Sequence, residues 1–401
     1  MICALIWTAV IFYGSPVPPQ FVTPFVDRGT GNVEGQRFPV PLPTTDTVIN
    51  WANYLPIGTS PAFWHRNVLP YTEEYQLSFQ RQVGSATLLT ASYVGTQGHH
   101  LLSSLEANPG DPALCLSVSQ ASQTVDGTVC GPNGENGVYL PVTGGTINGT
   151  RAPFGQNFTS DGYFITIGKS SYNSLQLSLR QRISRLEFLA GYTYSKSLDN
   201  GSGYGEQINP LDHDQRSLSS FDVRHNFVVS YDYQLPFDRL GGPSRLVKGW
   251  RLSGITRFSA GLPVTLTETD DNSLLGTSSA GAISLPVDTP NFTSGSLNIS
   301  DPRSQKPYFN TSLFSVEDLG TLGTARRRFF SGPGLNNWDI ALLKDTLIKE
   351  GVNLEFRTEL FNAFNHAQFL LPDGNVNSAT FGRVQTANSP RIMQLSLKLL
   401  F

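Results

Sequence analysis

The sequence is poor in charged residues. Of its 401 residues only 15% are Asp, Glu, Lys or Arg, well below the ~25% of average soluble proteins, and the net charge of −3 is too small to indicate a nucleic acid as a partner. Beyond the N-terminus, no stretch approaches the ~18 continuous apolar residues of a membrane-spanning helix. The sequence therefore excludes a helical membrane protein. It leaves a membrane β-barrel open, and its 38 glycines and 11% aromatic residues favour β structure.

Motifs for catalysis and cofactor binding are also missing. There is no G-x-S-x-G elbow, P-loop, H-E-x-x-H helix or dinucleotide fingerprint. Asp222, Arg224 and His225 are residue types found in catalytic triads, but the sequence supports no nucleophile geometry for the nearby serines. We therefore predict neither an enzyme nor a cofactor.

Metal-binding patterns are weak. His99 and His100 are adjacent, so in a strand their side chains are expected to face opposite ways and not to share a metal ion. The acidic run TETDDN at residues 267–272 lacks the Asp-x-Asp-x-Asp-Gly spacing and the closing Glu of an EF-hand loop. A solvated loop is the preferred interpretation of this run, with a calcium site as the alternative.

Only three cysteines are present. Cys115 and Cys130 lie in a stretch rich in Gly, Ser, Thr and Asn, and a disulfide between them would close a modest loop. Such bridges form in oxidising, extracytoplasmic compartments. The bridge is the preferred interpretation, and two unpaired thiols are the alternative.

Long segments of alternating polar and apolar residues are abundant. In residues 174–182, for example, Leu175, Leu177 and Leu179 alternate with polar residues, which is the period of a strand with two unlike faces. Segments of this kind, mostly joined in pairs by short turns, predict about ten strands. The predicted strands cover residues 2–13, 71–82, 86–95, 174–182, 185–197, 224–235, 248–261, 336–348, 352–365 and 391–401.

The strand lengths and the connections discriminate between β architectures. A strand of ~11 residues tilted by ~45° covers roughly 26 Å, the height of the apolar band of an outer membrane barrel. Short turns that alternate with long loops are typical of such barrels, with the turns periplasmic and the loops extracellular. Short turns occur near residues 83, 184, 236–247 and 349, and long polar stretches occupy 14–70, 96–171, 198–220, 261–336 and 364–390.

Many aromatic residues lie towards the predicted strand ends. Positions in the girdles at the membrane interfaces explain this placement, and ordinary sheet packing is the alternative. These residues are Tyr93, Tyr192, Tyr194, Tyr231, Tyr233, Trp250, Phe258, Trp338 and Phe364.

The first and last predicted strands need separate interpretation. Residues 2–13 are apolar but have no Lys or Arg before them, so a strand is preferred to a secretory signal peptide. Residues 391–401 place apolar side chains on one face of a strand and Gln394, Ser396 and Lys398 on the other. The apolar face consists of Met393, Leu395, Leu397, Leu399 and Phe401.

Several separate stretches, in the right order, resemble one known family. FDVRHNFVVSYDYQLPF, KGWRLSGITRFSAGLPVTL and LEFRTELFNAFNHAQF, together with SYVGTQGHHLL, are similar to TonB-dependent transporters of bacterial outer membranes, in their Oar-like branch. The resemblance covers nearly the whole chain from about residue 65 onward. It implies a barrel of about 22 strands around an N-terminal plug. Such barrels import bulky nutrients, such as metal chelates or glycans, with energy relayed by TonB.

Compared with that family, the chain is expected to be incomplete. Its sequence predicts about ten strands, no plug and no TonB box. We therefore expect an all-β, antiparallel segment of a transmembrane β-barrel, the C-terminal part of a larger receptor. Residues 1–70 are expected to form the first strand and a long loop, and residues 71–401 a meander of hairpins. As a fragment, this segment is not expected to import a solute by itself.

The resemblance also implies partners and a location. The chain is expected in the lipid of the outer membrane, with extracellular loops and a periplasmic C-terminus, and in contact with TonB only through a plug. The last strand, residues 391–401, resembles the signal read by the barrel-assembly machinery. Receptor function for an unknown solute is the main hypothesis. The alternatives are an adhesion or surface-interaction barrel without import, and a complete barrel of about ten strands in which residues 2–13 pair with 391–401.

Three charged residues are candidates for the inside of the barrel. Glu355, Arg357 and Glu359 share the polar face of one predicted strand, and this face is expected to line the lumen. From there they would contact a plug or a solute. The preferred interpretation is a charge ladder, in which the opposite charges on this face pair with one another.

Overall fold

The computed structural model describes residues 62–106, 108–116, 138–140, 145–147, 162–209, 211, 215–239, 241–269, 272–275, 288–299 and 306–401. The predicted strand at residues 2–13 lies outside the described residues, as do Cys3 and Cys130. Within the described ranges the chain consists almost entirely of strands and their connections.

Sixteen strands are present in the described part of the chain. They are β1 (Ala62–Phe63), β2 (Tyr71–Val83), β3 (Thr87–Glu106), β4 (Val138–Leu140), β5 (Gly145–Ile147), β6 (Gly162–Ile183), β7 (Leu186–Asp199), β8 (Gln207–Ile208), β9 (Ser217–Leu218), β10 (His225–Gln234), β11 (Trp250–Ser259), β12 (Asn291–Phe292), β13 (Phe314–Ser315), β14 (Leu335–Lys349), β15 (Val352–Phe361) and β16 (Ile392–Leu400). The helical segments are residues 112–116, Pro236–Arg239, Ser244–Val247 and Thr311–Leu313. None of the helices among the described residues has the length and apolar character needed to cross a bilayer.

Nine strands form one continuous antiparallel meander in the order β2, β3, β6, β7, β10, β11, β14, β15 and β16. These strands are 9 to 22 residues long. The short strands β1, β8 and β9 attach to β6, β3 and β7, respectively. The predicted all-β, antiparallel architecture is confirmed. Among the described residues the sheet is open, with β2 and β16 at its two edges.

The connections within the meander alternate between short and long, as predicted. Gly84 and Gly351 lie in two of the short turns with φ of 63° and 77°, a left-handed conformation that glycine adopts without strain. The short turns are residues 84–86, 184–185, 235–249 and 350–351, and the long connections are residues 107–161, 200–224, 260–334 and 362–391.

The alternation along each strand separates an apolar face from a polar face. Tyr93 pairs with Leu77 on one side and Leu175 on the other, whereas its neighbour Ser92 pairs with Ser78. Directly paired residues project to the same side of a sheet, so each row across the strands keeps one chemical character. Because of this pairing register, the apolar face and the polar face are each continuous from strand to strand.

Two strands extend well beyond their predicted ends. β3 continues to Glu106 and β6 begins at Gly162, so strand replaces the first and last parts of the predicted loop at residues 96–171. The pairing shifts register between Gly98 and Leu101, where His100 has φ of 54°. Because a bulge resets the alternation of side chains, the strand beyond it does not show the period that sequence patterns detect.

The connections after β11 and β15 contain a hydrophobic core, which corrects the interpretation of residues 261–336 and 364–390 as merely polar stretches. The ring centroids of Phe309 and Phe330 are 4.9 Å apart, and those of Phe314 and Phe381 are 5.7 Å apart. We call residues 260–269, 288–299, 306–334 and 362–391 the loop cap. Its buried core is Val264, Leu266, Phe309, Phe314 and Ala325.

Backbone hydrogen bonds fix the path of the loop cap around this core. The N–H of Val264 donates to the carbonyl of Phe330 at 3.0 Å, and the N–H of Thr267 donates to that of Gly374 at 3.1 Å. The two connections are thus joined by backbone bonds as well as by side-chain packing. The loop cap is a folded unit of its own.

Replacing Phe309 by Ala is expected to loosen the loop cap and leave the meander intact. Phe309 is only 2% exposed, and removing a buried Phe costs about 3 to 5 kcal/mol. The measurement is the rate of protease cleavage within residues 306–331 of the detergent-folded chain, with unboiled gel mobility reporting on the sheet. Phe369→Ala is the matched control because Phe369 is 54% exposed. Equal cleavage of the two variants would contradict the prediction.

Candidate functional site

The polar face of the sheet is covered by hydroxyl and amide side chains that interact across strands. The hydroxyls of Ser78 and Ser92 are 2.9 Å apart, and Gln80 Nε2 donates to Thr90 Oγ1 at 3.3 Å. Such groups both donate and accept hydrogen bonds. The face is therefore suited to contact with water or with a hydrophilic solute.

A recess of about 370 Å³ lies on this polar face. It is located where β6, β7, β10 and β11 join the long connections, next to residues 221–223. Its polar lining includes Tyr172, Gln176, Thr193, Asp222, Asn226 and Arg257. The recess combines neutral hydrogen-bonding groups with one acid and one base.

Asp222 lies in the segment that leads into β10. Its Oδ1 accepts a hydrogen bond from the backbone N–H of Ser197 at 2.6 Å, while its Oδ2 has no hydrogen-bond partner among the described residues. Burial raises the pKa of the Asp222 carboxyl, and the Ser197 N–H and the charges of Arg224 and Lys196 oppose that shift. A buried carboxylate with one unpaired oxygen carries an uncompensated desolvation cost.

Arg257 provides the positive charge of the recess. Its Nε donates to Asn226 Oδ1 at 3.0 Å across the β10 and β11 pair. Its other guanidinium nitrogens form no hydrogen bond or ion pair with any described residue, and the side chain is exposed. Asn226 therefore restrains the guanidinium through one nitrogen and leaves the remaining donors available.

Arg328 joins two of the long connections, the one after β7 and the one after β11. It is 1% exposed, forms an ion pair with Glu206, and donates from Nε to Thr265 Oγ1 at 2.8 Å and from Nη1 to Ser202 Oγ at 3.1 Å. Arg327 forms a second ion pair with Glu206 at 3.4 Å. Burial lowers the pKa of both arginines. Glu206 and its partners bind the connection after β7 to the loop cap.

Glu355, Arg357 and Glu359 share the polar face, on β15. Arg357 forms an ion pair of 2.6 Å with Glu359, and Glu355 is paired in register with Asp345 and Lys398. Of the three, Arg357 and Glu359 therefore form an ion pair, and a ladder in which all the charges pair with one another stays a prediction. The three residues lie on a different part of the polar face from the recess. That the ladder faces a lumen stays a prediction.

The predicted C-terminal strand is present as β16. Leu397 is paired with Phe356 and Leu399 with Leu354, so the apolar residues of β16 extend the apolar face. Met393, Leu395, Leu397 and Leu399 are 53 to 68% exposed, and Phe401 follows the end of the strand. Their role as an assembly signal stays a prediction.

The other predicted sites have mixed outcomes. Cys115 is fully buried and disulfide-bonded, but Cys130 lies outside the described residues, so their pairing stays a prediction.

His99 and His100 both contact one aromatic ring. Their rings lie 4.9 and 5.9 Å from that of Tyr71, because the bulge at His100 interrupts the expected alternation. The described residues contain no group of three or more His, Cys, Asp or Glu side chains arranged to hold a metal ion.

Asp222 and His225, residues of the triad types, have separate partners. His225 Nδ1 is 2.8 Å from the Tyr192 hydroxyl, whereas Asp222 accepts the backbone N–H of Ser197. Asp222 and His225 are therefore not hydrogen-bonded to each other and do not form a catalytic triad with a serine.

Aromatic side chains form a band on the apolar face near the long connections. The ring of Phe258 lies 6.4 Å from that of Phe227 and 5.7 Å from that of Trp338, which is 5.4 Å from Phe364. At the other end of β11, the Lys344 ammonium lies 5.8 Å from the centre of the Trp250 ring. Aromatic rings at both ends of an apolar face match the girdles of a membrane barrel.

The sequence did not single out Asn226, Arg257, Glu206 or Arg328. The polar position of Arg257 in the alternation of β11 was a usable signal. No pattern in the sequence indicated Glu206 and Arg328. They lie more than a hundred residues apart, in loops without a regular pattern of polar and apolar residues.

Comparison with known families settles the class of the chain. The model of a family described as "Outer membrane beta barrel domain" matches residues 12–394. The chain belongs to this family. As an outer membrane beta-barrel domain it is located in the outer membrane, and its apolar face is the side that such barrels turn towards lipid.

This outer membrane beta-barrel domain is similar to several solved structures. The outer membrane transporter YddB from Escherichia coli matches with a TM-score of 0.43 and 12% identity, over 86% of this chain and 34% of that chain. The siderophore receptor PirA from Acinetobacter baumannii matches with a TM-score of 0.40 and 10% identity, over 83% and 32% of the two chains. The FrpB iron transporter from Neisseria meningitidis matches with a TM-score of 0.39 and 10% identity, over 84% and 32%.

The chain therefore spans about a third of the length of these three proteins. A search of curated proteins found no match.

Replacing Arg328 by Met is expected to destabilise the contact between the loop cap and the connection after β7 by about 3 to 5 kcal/mol, because Glu206 loses its closest partner in a buried site. Hydrogen exchange of residues 202–208 and 326–330 measures the effect. Arg180→Met is the control, since Arg180 and Glu187 form an exposed pair worth at most about 1 kcal/mol. The combination of Arg328→Met with Glu206→Leu should recover part of the loss, and a double variant weaker than either single one would contradict this account.

Asp222→Asn is expected to raise stability at neutral pH. Burial raises the folded-state pKa of Asp222 above its ordinary value, so the stability that the protonated carboxyl contributes is fully present below the unfolded-state pKa and is lost as the pH rises through the folded-state pKa. The Asn side chain of the variant has no proton to lose in this pH range, so the variant avoids the cost of a buried negative charge at neutral pH. The measurement is the urea midpoint as a function of pH.

Asp238→Asn provides a control of opposite sign for Asp222→Asn. The hydrogen bonds from Arg185 lower the pKa of Asp238, so the stability that Asp238 contributes is present above its unfolded pKa. Removal of this carboxylate should therefore reduce stability at neutral pH and have little effect in acid. Lower stability of Asp222→Asn, or higher stability of Asp238→Asn, at neutral pH would overturn the assignment of that residue.

Proposed function

We propose that this chain forms part of the wall of an outer membrane receptor of the TonB-dependent type. In this proposal the polar face bounds the route of a bulky, hydrophilic solute. The observation that carries the proposal is the polar face itself, whose hydroxyl and amide groups continue across the strands up to the recess under the long connections. A surface of this kind stays hydrated and offers many weak, replaceable contacts to a moving solute.

The proposed orientation follows from the unequal lengths of the connections. The long connections are extracellular, so the loop cap meets the solute first, and the short turns and Phe401 are periplasmic. A plug domain against the polar face would transmit the action of TonB. The charge ladder of Glu355, Arg357 and Glu359 is positioned to contact such a plug or the solute. β16 is the strand that the barrel-assembly machinery would read.

A second candidate is a barrel for adhesion or surface interaction. The observation that favours it is the loop cap, which has its own hydrophobic core and therefore presents a stable surface outside the sheet. Import is preferred because adhesion makes no use of the hydrogen-bonded polar face.

Deleting the gene that encodes the chain in its native host is expected to reduce uptake of one class of bulky solute several-fold. Loss of TonB should reduce the same uptake to a similar extent. The measurement uses radiolabelled iron chelates and oligosaccharides, with a small sugar that diffuses through porins as the control. Unchanged uptake of every bulky solute together with reduced attachment to surfaces would refute import and favour adhesion.

A further inference from the structure

We propose that the recess at Arg257 is a binding site for a carboxylate group carried by the solute. The site deepens the proposed function and rests on it, since the polar face must be the surface that a solute contacts. Arg257 supplies the charge, Asn226 positions it, and Thr193 and Tyr172 supply neutral donors beside it.

The first argument concerns the free donors of Arg257. The guanidinium group has five N–H donors in a planar fork, and among the described residues only its Nε has a partner, Asn226 Oδ1 at 3.0 Å. Two terminal nitrogens remain, and such a pair matches the two oxygens of a carboxylate. Because Asn226 already restrains the plane of the fork, little further ordering is needed on binding.

The second argument concerns the acid in the same recess. Asp222 does not pair with Arg257: its Oδ1 accepts the N–H of Ser197, and the atom Oδ2 is buried. Arg224 and Lys196 are close enough to act on the Asp222 charge. The charges of Arg224 and Lys196 thus offset the charge of Asp222 in part, and neither Asp222 oxygen pairs with Arg257, which has no acidic partner among the described residues.

The third argument comes from a comparison with other arginines of the polar face. Arg251 lies on the same strand and has Asp232 at 3.7 Å, Arg180 pairs with Glu187, and Arg357 pairs with Glu359. Each of these arginines has an acidic partner on a neighbouring position, and Arg257 has none among the described residues. Arg257 is also the one of these four that borders the recess.

The size of the recess limits what it accepts. A volume of about 370 Å³ is at the lower end of the range for small-molecule pockets. The recess therefore fits one carboxylate-bearing part of a bulky solute and not the whole of it.

The test is calorimetric titration of the full chain, folded in detergent micelles, with citrate as the probe. Citrate is expected to bind to the native chain, and Arg257→Gln is expected to weaken the binding about tenfold or more, as for loss of hydrogen bonds to a charged group. Raising the salt concentration should weaken binding to the native chain. Arg251→Gln is the matched control and should bind citrate like the native chain.

Two further probes define the ligand class. Inorganic phosphate is expected to bind more weakly than citrate, and glucose, which is neutral, is expected to show no dependence on Arg257. Absence of citrate binding, equal affinity of the native chain and Arg257→Gln, or tighter binding of phosphate than of citrate would overturn the carboxylate assignment.

Two other variants keep the test decisive if Arg257→Gln fails to fold. Arg257→Lys keeps the charge but loses the fork, and Asn226→Ala keeps the fork but loses its restraint, so both should weaken citrate binding by less than Arg257→Gln would. Unchanged binding in both variants would also overturn the proposal. Binding is measured without transport, so loss of the site with retained uptake, or the reverse, separates a failure of this inference from a failure of the proposed function.

Discussion

The structure depends on one constraint, the pairing of backbone N–H and carbonyl groups in a continuous antiparallel ladder. In lipid there is no water to satisfy these groups, so strands that span the membrane must pair along their whole length. The nine strands of the meander do so from β2 to β16. Once the ladder sets the register, side chains in each row share a side, and the polar face, the apolar face and the aromatic band all follow from it.

The same ladder constrains how the sheet closes. Successive strands of the meander alternate in direction, so the edge strands β2 and β16, the first and ninth of the series, run the same way. Direct pairing between them would be parallel, and an antiparallel closure therefore requires an odd number of further strands. The single strand predicted for residues 2–13 satisfies this parity, and so does any larger barrel with an even number of strands. The exposed edges are thus compatible with either closure, but not with a closed antiparallel barrel of these nine strands alone.

The part of the structure that the sequence predicts is the part with a period of two. The alternation of Leu175, Leu177 and Leu179 identified β6, and the alternation of Glu355, Arg357 and Glu359 with apolar residues identified β15. Where the period breaks, prediction failed, as at the bulge of His100 in β3. The loop cap was missed for a related reason: its phenylalanines come from distant segments without periodicity, and only the folded chain shows that Phe309 and Phe381 share a core. The recess was also missed. Its lining combines residues that the pairing of β6, β7, β10 and β11 brings together with residues 221–223 of a loop, and the sequence predicts neither arrangement.

The buried Arg328 links the loop cap to the geometry of the recess. Arg328 Nη1 donates to the hydroxyl of Ser202, which also accepts the N–H of Ser220 at 2.8 Å. Next to Ser220, the carbonyl of Ser219 accepts the N–H of Asp222 at 2.9 Å. The segment that borders the recess is therefore held on one side by the β7 strand and on the other by an arginine of the loop cap. Because a buried ion pair is costly to break, the pair of Arg328 with Glu206 resists displacement of this segment. In the proposed site, the residues that hold the recess in shape thus include Arg328, which is not among the residues that line it.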